Sequence, residues 1–400
     1  MRALVTACDE KGGVDCHLVG GVLRDRALGL PVHDIDAVVP ARGREIAERL
    51  AVTLPARLVP LGGKEFAAFR LVGTDFEVDL WDRAGMSFEE DLARRDFTVN
   101  SFALDARTGT VIDPFDGLGD LGRRILRATT PASFTGDPLR VLRLPRLLIR
   151  LPGFAADPET VVLARKAAPL LPGISAERVR DELTFLLEHP DAHLGVALLI
   201  ALDLYPGLWL GRPGEPGRSG TALAEIEALP ERIRDLREID TELAETVDAR
   251  LARLTVLFAN LPVDGPVARL ELDRFRDEGY LTRQTGTDVA LLLSLPAPPG
   301  DEPAARRWLH RAGRLWPTAA CVHGARSAAL RRLADLARRE AETLFDPPRL
   351  LTGEDVQELL GIRPGREVGR ALDAVRSAQV DGTVRTREEA VTLVRTMAGL

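Results

Sequence analysis

The 400-residue chain has little cysteine, little lysine and no run of about eighteen uncharged apolar residues of the kind that crosses a bilayer. Cys8, Cys16 and Cys321 are odd in number and show no Cys-x-x-Cys spacing, which argues against a disulfide framework and against a zinc site; small buried hydrophobes are expected instead. The N-terminus has no signal-peptide pattern, so a cytoplasmic protein without a membrane partner is expected. His189-Pro190-Asp191-Ala192-His193 has proline where a zincin has glutamate, and no metal is expected there. No internal repeat is evident. Only three of the 53 basic residues are lysine. Arginine makes bidentate phosphate contacts, but the codon bias of a GC-rich genome is the simpler cause over the whole chain.

The net charge of −7 looks wrong for a polyanionic partner until it is divided along the chain. From Arg123 to Arg180 eleven basic residues face four acidic ones, a local balance of +7 that leaves −14 on the remainder. A basic stripe on an acidic body suits a nucleic acid, because association follows the local field. The length exceeds what one hydrophobic core supports, so two or more units are expected.

The most informative stretch runs from His17 to Asp36. His17 to Val19 reads as a strand end and Gly20-Gly21 as a sharp turn where an anion can approach main-chain N–H groups. A short helix over Val22 to Leu28, stopped by Gly29, should offer Arg24 to the same anion. Asp34 and Asp36 lie two apart in a segment rich in β-branched residues, so both carboxylates project from one face of a strand. Two close carboxylates beside a phosphate seat suit Mg²⁺. The implied chemistry is metal-assisted transfer at phosphorus. In Phe76-Glu77-Val78-Asp79-Leu80, Glu77 and Asp79 also share a face, and either could complete the acidic set.

The order Val19-Gly20-Gly21-x-x-Arg24-Asp25 followed by Asp34-x-Asp36 resembles the signature of the class II tRNA nucleotidyltransferase and bacterial poly(A) polymerase family. The resemblance implies Asp34, Asp36 and Asp79 as catalytic carboxylates, Asp34 and Asp36 as ligands of Mg²⁺, and Gly20, Gly21 and Arg24 at the nucleotide. It extends to Arg94-Arg95-Asp96-Phe97-Thr98-Val99-Asn100, where the family uses Arg95, Asp96 and Asn100 on triphosphate and ribose, and to Asp137-Pro138-Leu139-Arg140. There a carboxylate and a guanidinium on one helical turn read the edge of the incoming base, while Arg143 and Arg146 continue the face toward phosphates. Three departures stand out: Asp116 where glycine is more common, Gly136 in place of a glutamate that braces Arg140, and Pro145 inside a helix, where it should force a kink.

The resemblance implies an α+β protein: a nucleotidyltransferase head of mixed sheet and helices (1–126), then an all-α neck (127–190), body (191–345) and RNA-binding tail (346–400). Helices are expected over Val141 to Leu151, Glu159 to Ala168, Ala176 to Glu188 (capped by Ser175) and His193 to Leu202, with breaks at Gly211 to Gly220 and Pro296 to Pro303. In the tail, helices are expected around Glu354 to Leu360, Glu367 to Ala378 and Thr386 to Met397. The expected partners are tRNA, CTP and ATP, and the expected reaction adds C, and A as an open question, to the tRNA 3′ end. A poly(A) polymerase shares every motif, and a silent RNA-binding paralogue is the rival of another class. Only fifteen residues, Leu80 to Arg94, separate Asp79 from Arg95. Family members that complete all three additions often have a longer loop there, so the shortness suggests a CC-adding bias.

Overall fold

The computed structural model describes residues 1–9, 13–32, 34–61, 68–83, 85–202, 219–260 and 265–399. His33 and most of the expected Gly211 to Gly220 break lie outside these. The chain divides into two units, Met1–Pro213 and Gly214–Leu400.

The first unit is built on a seven-stranded sheet. Its strands are β1 (His17–Val19), β2 (Asp34–Val39), β3 (Arg57–Leu61), β4 (Ala68–Val72), β5 (Glu77–Asp82), β6 (Ala103–Asp105) and β7 (Val111–Ile112). They lie in the order β3-β4-β5-β2-β1-β6-β7, and only β2 and β5 pair in parallel. Alternation splits the sheet into two faces. Leu18, Ala37, Val39, Phe69, Leu71, Val78 and Leu80 pack on one side against helices α1 (Arg2–Asp9) and α3 (Gly43–Thr53), which contribute Leu4, Ala7, Ile46, Ala47 and Leu50. The residues between them, Asp34, Asp36, Glu77, Asp79 and Trp81, therefore occupy the opposite face.

Between β1 and β2 lies α2 (Gly21–Ala27), followed by Gly29 at φ 71°, the left-handed position expected of it. Ser87 and Glu90 form a reciprocal capping box that starts α4 (Phe88–Ala93). In the turn after β7, Asp113 accepts from the N–H of Gly117 and Leu118 at 2.7 and 2.8 Å and sets the start of α5 (Gly117–Arg123). Asp116 in that turn adopts φ 56°. This is the left-handed region that glycine enters freely, which accounts for the more usual glycine there.

A two-stranded pair, β8 (Ile125–Leu126) and β9 (Ala155–Ala156), brackets α6 (Ser133–Gly136) and α7 (Arg140–Arg150). Then come α8 (Pro158–Ala167), α9 (Ala176–Glu188) and α10 (Ala192–Ala201). Asp157 caps α8 through the Thr160 N–H, with Pro158 in the first turn. Ser175 stands at the cap position of α9, where the sequence reading put it, although its hydroxyl makes no capping bond. Helix α7 runs through Pro145, whose ring is buried. Every described segment of the second unit is helix, turn or loop. Its last three helices, Gly353–Leu360, Arg366–Val380 and Arg387–Ala398, close on Val356, Val368, Ala371, Val375, Ala390 and Val394. No helix among the described residues is long and apolar enough to cross a membrane. Cys8, Cys16 and Cys321 are buried and unbridged, as the sequence implies.

Candidate active site

A cavity of about 620 Å³ opens on the acidic face of the sheet, between the head strands and α7. Gly20, Gly21, Arg24, Asp34, Asp36, Arg95, Asp96, Asn100, Arg140, Arg143 and Arg146 all line it. Of the sequence-derived site residues, Asp79 and Asp137 do not.

Gly20 takes φ 79°, and a Cβ on it would stand 2.7 Å from Asp36 Oδ2 and 3.0 Å from Arg95 Nη1. Glycine is thus required for turn and for space. Burial pushes the Asp36 carboxyl above the usual carboxylate range; Arg95 opposes this, while Asp79 and Asp34 add to it. Asp79 stands beside Asp36 in the β2–β5 register, and Glu77 beside Asp34. Arg70, opposite Asp79 on β4, donates Nε and Nη2 to it at 2.8 Å each, and its Nη1 lies 3.2 Å from Glu77. Asp79 is thus neutralised by a neighbouring strand, whereas Asp34 and Asp36 face the cavity.

Among the described residues no three acidic, histidine or cysteine side chains gather as a metal-binding group. The residues present do fit a divalent cation of the kind shared between protein and phosphate: two hard carboxylates on one face, one of them pushed by burial above the usual carboxylate range, beside the buried Arg95 Nε, which has no hydrogen-bond partner.

Along the wall of the cavity runs a continuous chain of polar contacts. Arg150 donates to Asp25 at 2.7 Å, Arg24 donates to Asp25 at 2.8 Å and to Asn100 Oδ1 at 2.6 Å, and Asn100 donates to Asp96 at 2.8 Å. Arg143 completes it, 3.0 Å from Asp96. Burial alone would raise the Asp96 carboxyl, but Arg143, Asn100 and the Phe97 N–H hold it below the usual range. Arg24 is only 3% exposed. The sequence reading turned it outward to an anion; the structure turns it inward, since a seven-residue helix packed on the 3₁₀ turn Thr98–Asn100 leaves its guanidinium between two acceptors.

Asp137 and Arg140, three residues apart, do not hydrogen-bond to each other through their side chains. Asp137 ends α6 and accepts from Arg178 of α9 at 2.8 Å. Arg140 opens α7 and donates to the carbonyls of Ser133, Arg95 and Arg94. Arg146 likewise spends its charge on Glu182 at 2.8 and 2.9 Å and lies over the Phe185 ring at 4.2 Å, rather than being free for phosphate. The sequence reading placed Asp25 in the motif without giving it a role, and did not name Arg150. Arg150 was within reach of it, since Arg143, Arg146 and Arg150 fall at i, i+3 and i+7 on one helix face.

Residues 16–127 match the poly A polymerase head domain, and residues 153–209 match a probable RNA and SrmB-binding site of polymerase A. A CC-adding tRNA nucleotidyltransferase of Geobacter sulfurreducens is 31% identical over 98% of this chain and 94% of its own length. The chain belongs to the tRNA nucleotidyltransferase family. An A-adding tRNA nucleotidyltransferase of Deinococcus radiodurans is 33% identical over 95% of each chain. Among solved structures, an apo CCA-adding enzyme superposes with a TM-score of 0.72 at 23% identity, over 99% of this nucleotidyltransferase and 93% of that chain. That likeness establishes the fold: a mixed-sheet head followed by helices, as the sequence resemblance implied.

Proposed function

We propose that this nucleotidyltransferase adds cytidine, and adenosine poorly or not at all, to the 3′ end of tRNA in the cytoplasm, using CTP and releasing pyrophosphate. The observation that carries this reading is the double tether of the base-selecting pair. Arg140 is tied to three backbone carbonyls and Asp137 to Arg178, so neither side chain is free to re-aim between C and A. A fixed donor and acceptor present one hydrogen-bond pattern, and a base of the wrong pattern leaves buried polar groups unpaired. Gly136 lacks the carboxylate that would compete for Arg140, and the Leu80 to Arg94 segment is short. The relatives named CC-adding and A-adding support a division of labour within the family.

In this reading Gly20, Gly21 and Arg95 take the triphosphate, and Asp96 and Asn100, held by Arg24 and Arg143, meet the ribose. Asp34 and Asp36 would hold Mg²⁺, which when bound lowers the barrier to attack by the RNA 3′-hydroxyl and to departure of pyrophosphate. Asp79, its charge met by Arg70, supports Asp36 from the adjacent strand. The head (1–126) carries out transfer, the neck (127–190) selects the base, and the body (191–345) and tail (346–400) hold the RNA.

The test is the product ladder on tRNA ending before its first C, with CTP and ATP supplied together. A ladder that stops after C supports the reading. Efficient extension through a terminal A overturns it, and repeated addition of A alone marks a poly(A) polymerase.

A further inference from the structure

We propose that Trp81 is the stacking platform for the terminal base of the RNA acceptor, and so positions the 3′-hydroxyl over Asp34 and Asp36. This rests on the reading of the chain as an RNA-extending enzyme and names a residue for the acceptor side of that reaction. Trp81 lies on β5 two residues after Asp79 and, by alternation, on the same face as Asp34, Asp36 and Asp79. Its neighbours in register are Ala68 and Val38, both buried, while the indole between them is open to the cavity. It is 38% exposed and lines the cavity, in company with the 36% exposed Val32 just upstream of Asp34. Among the described residues it stacks on no other ring or guanidinium. Trp308 shows the contrast, being buried with its Nε1–H donated to the Pro296 carbonyl at 2.8 Å.

A lone exposed apolar side chain needs no explanation. A flat aromatic inside a cavity otherwise dominated by Arg and Asp does. Such a surface binds a group that is itself a flat ring attached to an anion, which is a nucleotide, and base–aromatic stacking tolerates any base. Two nucleotides meet in the site. The base of the incoming one belongs with Arg140, on α7. Trp81 lies on the sheet side, about 6.6 Å along the strand from Asp79, a span comparable to that from a nucleotide's 3′-oxygen to its base. The occupant is therefore the acceptor's last nucleotide. Because stacking ignores base identity, the same platform serves successive acceptor ends.

The experiment compares the full-length enzyme with Trp81→Ala and Trp81→Phe on tRNA ending before its first C, and on the same RNA with an abasic terminal residue. Trp81→Ala should raise the KM for acceptor about tenfold, on the scale of one stacked base, and leave the KM for CTP unchanged; Trp81→Phe should recover most of the loss. The abasic acceptor should cost the unaltered enzyme as much as the mutation does, with no further loss when both are combined. An RNA ending in 2-aminopurine should lose fluorescence on binding the unaltered enzyme and not Trp81→Ala, a readout that needs no turnover. An unchanged acceptor KM, additive losses, or a rise confined to the KM for CTP overturns the proposal. Retained quenching without any extension of tRNA overturns the reading of the reaction and leaves the platform standing. Absence of RNA binding overturns both.

Discussion

Arg70 and Asp79 form a two-pronged ion pair across β4 and β5, with Nε and Nη2 each 2.8 Å from a carboxylate oxygen. The pair holds one positive charge next to Asp36 and Asp34 and damps the field that would draw a divalent cation. Replacing Arg70 with methionine, which keeps the length and loses the charge, should shift the Mg²⁺ dependence of nucleotide addition to severalfold lower concentrations. A metal titration of activity at fixed CTP and tRNA checks this; a shift to higher concentrations would mean that Arg70 orients Asp79 for the metal.

Asp36 is strained by its site. Burial raises its carboxyl in the folded protein above its value in the unfolded chain. Its favourable contribution is therefore complete only below the ordinary aspartate range and is lost as pH rises through the raised value. In metal-free buffer Asp36→Asn should unfold at a higher temperature than the unaltered protein near neutral pH, and the two should converge in acid. The same variant should lose nucleotide addition by about 10² or more. Thermal unfolding across pH, beside a labelled-CTP assay, measures both halves.

Gly136 has nothing within 4 Å of the position a Cβ would take, and its φ is not in the left-handed region. Gly136→Glu should therefore fold normally and bring a carboxylate near Arg140, in competition with the carbonyls that now hold it. The expected outcome is a higher ratio of A to C incorporation at the terminal position, read from the product ladder with both nucleotides present. An unaltered ratio would place base choice elsewhere.

Asp116 holds a left-handed conformation and an exposed ion pair with Arg123 at 2.6 Å. Asp116→Gly relieves the backbone and loses the pair, two effects of opposite sign. Asp116→Ala loses the pair and keeps the strain, so it should be about 1 kcal/mol less stable than Asp116→Gly. Urea unfolding of the two variants decides between backbone strain and charge as the governing effect in this turn.

What could be read from the sequence was whatever depends on local pattern. The segment Asp34–Val39 is a strand within its expected bounds because its β-branched run leaves no other choice, and Ala176–Glu188 is a helix within its expected bounds because its apolar spacing is regular. β3 carries Pro60, which in sequence argues against a strand; the sheet tolerates it because β3 is an edge strand. The partners of Arg24, Asp25 and Asp137 could not be read. Arg24 meets Asn100 across 76 positions and Asp25 meets Arg150 across 125, and charge alone does not select one partner among many. The exposure of Trp81 was hidden for the same reason: alternation gives the face, but only the packing of the elements around it leaves the ring open to the cavity.

The run of contacts from Arg150 through Asp25, Arg24, Asn100 and Asp96 to Arg143 begins and ends on α7 and passes through α2 and the Thr98–Asn100 turn in between. Helix α7, helix α2 and the Thr98–Asn100 turn are thereby stitched into one closed circuit. Exchange of parts between relatives should respect that circuit. A chimera that cuts between β8 and α6 would pair one parent's acids with the other's guanidiniums, leaving buried charge unmatched wherever the two parents differ. Across relatives the six interlocked residues are expected to change together or not at all.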